Sequence, residues 1–96
     1  MKMSALMLVT LLAIQACSSP EEKVENFIEQ GKQLFEQKEY DKAAIEFKNA
    51  LQINKKKSIA YYYIAQIEEK KQNWQAVYSN LVAAVKFGPK NQYRSA

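Results

Sequence analysis

Residues 40–53 read YDKAAIEFKNALQI, and residues 74–87 read WQAVYSNLVAAVKF. The two stretches align without a gap when position 40 is set opposite position 74, and this offset is called the repeat length below. Large side chains mostly stand opposite large ones and small opposite small, as in the pairs Tyr40/Trp74, Ala43/Val77, Phe47/Leu81, Ala50/Ala84 and Leu51/Val85. The chain therefore contains an internal repeat, and this repeat decides its fold.

The repeat extends to both sides of these stretches. The same offset also joins the pairs Phe27/Tyr61, Gly31/Ala65, Ile53/Phe87 and Lys56/Lys90. Small residues such as Gly31, Ala65 and Ala43 are expected where two helices approach closely. Large residues such as Phe47 and Tyr61 are expected where gaps between helices must be filled.

Apolar residues recur at helical spacing through most of the chain. Tyr40, Ala43, Phe47, Ala50 and Leu51 follow offsets of 3, 7, 10 and 11, which is typical of one buried helix face. Gly and Pro number only two each, which argues against a turn-rich β fold. The pattern predicts helices at about 21–37, 40–53, 57–71 and 74–87. Polar residues stand near two helix starts and a Gly-Pro pair closes the last helix: Asp41, Asn73 and Gly88-Pro89.

A repeat length of about 34 residues is that of the tetratricopeptide repeat, which the chain resembles. The motif residues of the first copy are Phe27, Gln30, Gly31, Leu34, Ala43, Phe47 and Ala50, and those of the second are Tyr61, Ile64, Ala65, Glu68, Val77, Leu81, Ala84 and Pro89. Four residues depart from the pattern: Gln30 and Glu68 replace apolar residues, and Lys38 and Gln72 stand where the turn often has Gly. The resemblance implies an all-α fold of two helix–turn–helix hairpins, the start of an α-solenoid, with repeats at 24–57 and 58–91 and the start of a third at 92–96.

The N-terminus has the pattern of an export signal. Lys2 is followed by the apolar run ALMLVTLLAI at 5–14, which is too short for the ~20 residues that a membrane span needs. The run ends in Gln15-Ala16-Cys17 and resembles a lipobox, although Gln15 is a less usual occupant of its place. The alternatives are a plain signal peptide with a Cys near its cleavage site, or a buried N-terminal helix.

The lipobox resemblance implies that residues 1–16 are a cleaved signal peptide and that Cys17 carries the lipid. In this class the sulfur is diacylated, with palmitate as a typical chain, and residues 17–23 would form the lipidated Cys and a short linker. Two or three acyl chains hold a protein stably to a membrane. Ser18, where an Asp would signal inner-membrane retention, favours the outer membrane of a Gram-negative cell, facing the periplasm.

A narrower resemblance lies in the stretch EFKNALQI at 46–53, behind the start Cys-Ser-Ser-Pro-Glu-Glu-Lys. It is similar to the opening of long tetratricopeptide lipoproteins of Gram-negative bacteria. Some of those accompany exopolysaccharide and PEP-CTERM protein-sorting systems.

No catalytic constellation is visible in the sequence. The chain has no His and a single Cys, so it has no disulfide of its own and no Cys/His or Ser/His/Asp arrangement. The adjacent acids Glu21/Glu22 and Glu68/Glu69 would point in different directions from their helices. We therefore expect no enzyme activity, no metal site and no cofactor.

Residues 17–54 have a charge balance of −3 and residues 55–96 one of +6, which is a clue about partners. Nucleic acid is disfavoured because the mature chain should be exported.

Three further features invite a functional interpretation. Lys55-Lys56-Lys57 is either a solvated turn that complements the preceding helix end or an anion site. Tyr61, Tyr62 and Tyr63 occupy successive helix positions about 100° apart, which places Tyr61 in the core and Tyr62 in the concave groove. Trp74 is expected in the core by register. The residues predicted to line a partner-binding groove are Ile28, Lys32, Phe35, Tyr62, Gln66 and Glu69.

Two functions fit these features. One is a membrane-tethered interaction scaffold whose groove binds a peptide or helix of an envelope protein. The other is a structural one, in which the hairpins are the membrane-proximal start of a longer solenoid and have no binding function of their own. The fourth predicted helix presents Trp74, Val77, Leu81 and Val85 with no apolar run behind it to cover them. We therefore expect that the protein continues, or that self-association or another partner covers this edge.

Overall fold

The computed structural model describes residues 18–89, and these residues form four α-helices and no strand. The helices are α1 (Pro20–Glu36), α2 (Tyr40–Ile53), α3 (Ser58–Lys70) and α4 (Trp74–Phe87). The prediction of an all-α chain with helices at these positions is confirmed to within one residue at each end. The predicted signal peptide at 1–16, the lipid-bearing Cys17 and the predicted third-repeat start at 92–96 lie outside the described residues.

The start of α1 shows why the helix begins at Pro20. The Glu22 backbone N–H donates to the Ser19 hydroxyl oxygen at 3.2 Å, so Ser19 caps the first turn. Pro20 occupies the first helical position, where its missing N–H costs nothing. Glu21 and Glu22 place negative charge in the first turn, where the helix dipole favours it.

The turns between α1 and α2 and between α3 and α4 have the same geometry. The Glu39 and Lys38 N–H groups donate to the carbonyls of Leu34 and Phe35, and this pair of bonds is a Schellman motif. The same bonds recur one repeat length later, from Asn73 to Glu68 and from Gln72 to Glu69. The residues that make the left-handed step are Lys38, with φ of 64°, and Gln72, with φ of 59°.

Gly88 ends α4 without the positive φ that is typical of a glycine at the end of a helix. Its backbone is extended, with φ of −81° and ψ of 170°, so the freedom of glycine to adopt positive φ is not used here. The reason is Pro89, because a residue before proline is sterically driven into the extended region.

Neighbouring helices pack in sequence order: α1 on α2, α2 on α3 and α3 on α4. A further contact joins α1 to α3. Phe47 and Ile67 are the largest side chains that are fully buried. The core cluster they belong to also contains Val24, Ile28, Ala43, Ala44, Ala50, Ala60 and Ile64.

The contact between α1 and α2 depends on Gly31. A Cβ at this position would lie 2.7 Å from Cε1 and Cζ of Phe47, closer than real Cβ contacts allow. The expectation of a small residue at a close helix approach is therefore confirmed at Gly31. The missing side chain lets a fully buried ring lie directly against the backbone of α1.

Trp74 is the clear error of the sequence analysis, because it is 60% exposed rather than buried. Its counterpart Tyr40, one repeat length earlier, is half-buried and packs edge-on against Phe35 at 5.4 Å between ring centroids. One reason for the difference is that the equivalent of Phe35 is Glu69, so Trp74 lacks this ring to pack on. Another reason is the order of the helices. Helix α3 packs on α2, whereas no helix among the described residues packs on α4 in the same way.

Candidate functional site

The predicted groove residues are carried by two helices, α1 with Ile28, Lys32 and Phe35, and α3 with Tyr62, Gln66 and Glu69. Tyr62 and Glu69 are exposed, and Lys32, Phe35 and Gln66 are half-buried. Ile28 is only 4% exposed and belongs to the core. Five of the six side chains are therefore open to a partner to some degree, and Ile28 is not.

The burial of Ile28 has a structural reason. Val24, Ile28 and Gly31 are the buried residues of α1, spaced by four and three positions, so they form one face of the helix. This face is flanked by both α2 and α3. Tyr62 is the counterpart of Ile28 one repeat length later, but it lies on α3 and is 42% exposed. The prediction that both positions line an open surface was wrong for Ile28.

Tyr63 is the centre of an aromatic cluster that supports the exposed ring of Tyr62. Its ring stacks on that of Phe47, with centroids 4.9 Å apart and an interplanar angle of 11°. It meets Phe35 edge-on at 5.3 Å and Tyr62 edge-on at 5.9 Å. Such pairs contribute roughly 0.5–1.5 kcal/mol each beyond the area they bury. Tyr62 is thus an exposed aromatic side chain that rests on the half-buried ring of Tyr63, which in turn packs on the buried ring of Phe47.

Gln66 and Glu69 lie in a separate feature, a shallow depression between α3 and α4 of ≈ 150 Å³. Its other lining residues are Ala65 on α3 and Val77 and Leu81 on α4. The floor is therefore apolar, and the amide and carboxylate stand at the rim. The structure places these two predicted groove residues at the edge of the molecule that α4 forms.

The three lysines of the turn between α2 and α3 make three separate contacts. The Lys57 ammonium lies 3.1 Å from the Glu25 carboxylate of α1. The Lys56 N–H donates to the Asn54 side-chain oxygen at 3.0 Å, and the Lys55 carbonyl accepts from the Tyr61 hydroxyl at 2.8 Å. These contacts fit the interpretation as a structural turn better than that of a converging anion site.

Two ion pairs join the acidic first half of the chain to the basic second half. One is Lys57–Glu25, and the other is Lys71–Asp41 at 2.8 Å, which connects the end of α3 to the start of α2. The hydrogen bond and the charge of Lys71 lower the pKa of Asp41, and the hydrogen bond that Lys71 donates to Asp41 raises the pKa of Lys71. Part of the charge asymmetry that the sequence suggested for partners is therefore used inside the fold.

The acidic pairs do not form a site in the part of the chain that the structure describes. Residues 18–89 contain no group of three acidic side chains close enough to hold a metal ion. Glu68 instead accepts a hydrogen bond from the Asn73 amide at 2.9 Å, whereas Glu69 lies at the rim of the depression. Within the same residues, no helix has both the length and the apolar character needed to cross a membrane.

Comparison of the chain with protein-family models, with curated proteins and with solved structures gives no match.

The sequence analysis missed two residues that the structure makes conspicuous. Tyr78 is 73% exposed and Val82 is 47% exposed, both on α4 beside Trp74, Leu81 and Val85. The signal was present, because the spacing of these five residues puts them on one face of a helix. The repeat register obscured it, because Ala44 and Lys48 occupy the equivalent positions of α2.

Proposed function

We propose that this chain is a tetratricopeptide-repeat lipoprotein of the bacterial envelope, anchored by lipid on Cys17 and acting as a protein-interaction scaffold. The observation that carries the proposal is that the geometry of the first hairpin recurs one repeat length later. Helices α2 and α4 both begin and end at positions related by this offset. Their preceding turns share the left-handed residues Lys38 and Gln72 at the same spacing.

The packing of Gly31 against Phe47 gives further support. A small residue on the first helix of a hairpin and a large one on the second match the tetratricopeptide pattern. Ala65 and Leu81, the counterparts in the second hairpin, are likewise a small and a large residue. The proposal thus rests on an arrangement of residue sizes as well as on helix lengths.

The surface around Tyr62 is the part of the scaffold assigned to partner binding. An exposed ring on an aromatic base suits a hydrophobic anchor, because it contributes contact area with little conformational freedom to lose. Lys32 and Glu69 supply charges of opposite sign, and Gln66 and Glu69 follow Tyr62 by four and seven positions, so the same face of α3 leads from Tyr62 to the depression between α3 and α4. The partner class that fits is a peptide or helix of an envelope protein with an apolar anchor and mixed charge. The proposal gives the chain no catalytic role.

A structural role is the second candidate. In it, the two hairpins are the membrane-proximal part of a longer solenoid, and the binding surface lies elsewhere. The observation that favours it is the row of exposed apolar side chains on α4, a face that repeat proteins normally bury against a neighbour. Both candidates keep the lipid anchor, so they differ only in the role of the Tyr62 surface.

Site-specific photo-cross-linking in the native cells separates the two candidates. A photoreactive residue in place of Tyr62 should give a discrete cross-linked protein. The matched control is position 45, since Ile45 is also apolar and exposed, at 59%, but lies on α2. A discrete product from position 62 alone supports the scaffold, and equal products or none from both positions support the structural role.

A further inference from the structure

The exposed large apolar residues of α4 form a continuous stripe: Trp74, Tyr78, Leu81, Val82 and Val85. At about 100° per residue, these positions fall within a sector roughly 100° wide on one side of the helix. Exposures of 60% for Trp74, 73% for Tyr78 and 54% for Val85 make this a surface that water contacts throughout its length. A contiguous patch of this kind marks an interaction surface.

The molecule itself shows how such a face is covered. The residues of α2 that stand one repeat length before the stripe include Tyr40, Ala44, Phe47 and Leu51. Ala44 and Phe47 are buried, Tyr40 and Leu51 are half-buried, and the fifth counterpart, Lys48, is exposed at the edge of this face. Helix α3 packs on this side of α2, with the Tyr63 ring stacked on Phe47.

Tyr63 fills a gap beside α1 and α2, and the corresponding gap beside α3 and α4 is open. Tyr63 lies between Phe35 of α1 and Phe47 of α2. The residues one repeat length on from these two are Glu69 and Leu81, and both line the depression between α3 and α4. The space is therefore placed, relative to its helix pair, where an aromatic ring sits one repeat earlier.

We propose that the edge formed by α3 and α4 is a docking site for an amphipathic helix of a partner protein that resembles α3. The helix would carry an aromatic residue at the position of Tyr63 and Ile-sized residues four positions before and after it, as Ile59 and Ile67 do in α3. The α2–α3 contact continues one repeat further in this arrangement, with the partner's ring in the depression.

Glu69 stands where the first helix pair has Phe35, and this difference indicates which aromatic residue fits the depression. The ring in the depression meets a carboxylate and the Gln66 amide at the rim, where Tyr63 meets an aromatic edge. A tyrosine ring fits this rim better than a phenylalanine ring, because its hydroxyl can donate to the Glu69 carboxylate. The bulk of Tyr78, in place of Ala44, calls for a small residue on the partner helix opposite it.

A second copy of this chain fits the edge less well. The α3 face that would dock is already covered in each copy by its own α2 and α4. The outer face of α1, opposite its buried face and at the other end of the described helices, carries the exposed polar side chains of Glu22, Asn26, Glu29 and Gln33. Burying the two carboxylates among these against the apolar stripe would cost free energy without a matching cation.

The test uses a fluorescent synthetic peptide of residues 54–73, which contains α3, and the full chain in lipid nanodiscs. Nanodiscs hold the chain whether or not its apolar N-terminal stretch is processed, so the result does not depend on the lipid proposal. Fluorescence anisotropy should show saturable binding. The substitutions Tyr78→Asp and Val85→Asp should each weaken it by about tenfold or more. The matched control Ile45→Asp, which changes an exposed apolar residue of α2, should leave it unchanged.

A substitution in the peptide guards against misfolding of the protein variants. Tyr63→Ala in the peptide should weaken binding by about tenfold, and Tyr63→Phe by less, with the protein unaltered in both. Absence of saturable binding, or binding insensitive to both the α4 and the peptide substitutions, would overturn the proposal. A Val85→Cys chain that forms disulfide-linked dimers in membranes, when Ile45→Cys does not, would overturn it in favour of a second copy.

Discussion

At Gly31 a hydrogen atom stands where any other residue would carry a Cβ, and the Phe47 ring fills the space beside it. The distance of 2.7 Å that a Cβ would have to this ring is too short to accommodate without movement. Phe47 is fully buried and also stacks on Tyr63, so its ring has little room to shift. The α1–α2 contact is therefore most sensitive to change at this residue.

The first prediction concerns Gly31→Ala. Alanine favours the helix by about 1 kcal/mol, but overpacking against Phe47 costs roughly 1–3 kcal/mol, so the net effect should be destabilising by about 1 kcal/mol. Urea unfolding measures it. In a Phe47→Leu background the clash is relieved, and Gly31→Ala should then be neutral or stabilising. Equal effects in both backgrounds would show that the ring does not limit this position.

The left-handed residues Lys38 and Gln72 give the second prediction. Both are held at positive φ, which is unfavourable for a residue with a Cβ. Lys38→Gly and Gln72→Gly should each stabilise the chain by about 0.5–1 kcal/mol, because glycine adopts this conformation without strain. Thermal unfolding measures the change. The control Lys38→Ala keeps the strain, and an equal gain from alanine would contradict the explanation.

At the scale of the helices, the Asp41–Lys71 pair ties the start of α2 to the end of α3. The pKa of Asp41 is lowered, so its contribution to stability is present above the unfolded pKa of ~3.9 and is lost as pH falls through the folded value. The pKa of Lys71 is raised, so its contribution is present below the unfolded pKa and is lost as pH rises through the folded one. Both groups are exposed, so the effect is small.

The third prediction follows from this pair. The melting temperature of Asp41→Asn should lie below that of the wild type at neutral pH, and the difference should vanish once the pH lies well below the folded pKa of Asp41. Because Asp41 also lies in the first turn of α2, a double-mutant cycle with Lys71→Gln is needed to isolate the pair. A coupling that persists at low pH would mean that the hydrogen-bonded ion pair is not its source.

The positions of the helices could be predicted from the sequence, whereas the exposure of several side chains could not. Apolar spacing in 40–53 and 74–87 locates α2 and α4 because each helix must bury one face. Whether Trp74 is buried depends on a helix packed against α4, which spacing within α4 cannot reveal. Ile28 could have been assigned to the core, since it follows Val24 by four residues on the same face. The left-handed conformation of Lys38 could not be predicted, because glycine, the residue typical of this turn, is absent there.

For the whole molecule, the two helix pairs leave opposite ends of different character. The outer face of α1 is acidic and polar, and α4 carries an apolar stripe. One end is suited to water and the other to a further helix. A lipid on Cys17, which lies just before α1, would place the acidic end of the scaffold nearest the membrane and the apolar stripe of α4 at the other end. The chain from Cys17 to the start of α1 at Pro20 spans at most about 11 Å even when extended, so α1 would lie near the membrane surface.

The anchor is the feature on which the proposed function depends most, and labelled palmitate tests it most directly. Cells that express the chain should incorporate the label into a membrane-bound product of this protein. Cys17→Ala should abolish both the label and the membrane retention of a processed product, while Ser18→Ala, the matched neighbour, should keep both. Label that persists in Cys17→Ala, or a wild-type chain that takes up none, would contradict the account of this protein as a lipid-anchored repeat scaffold.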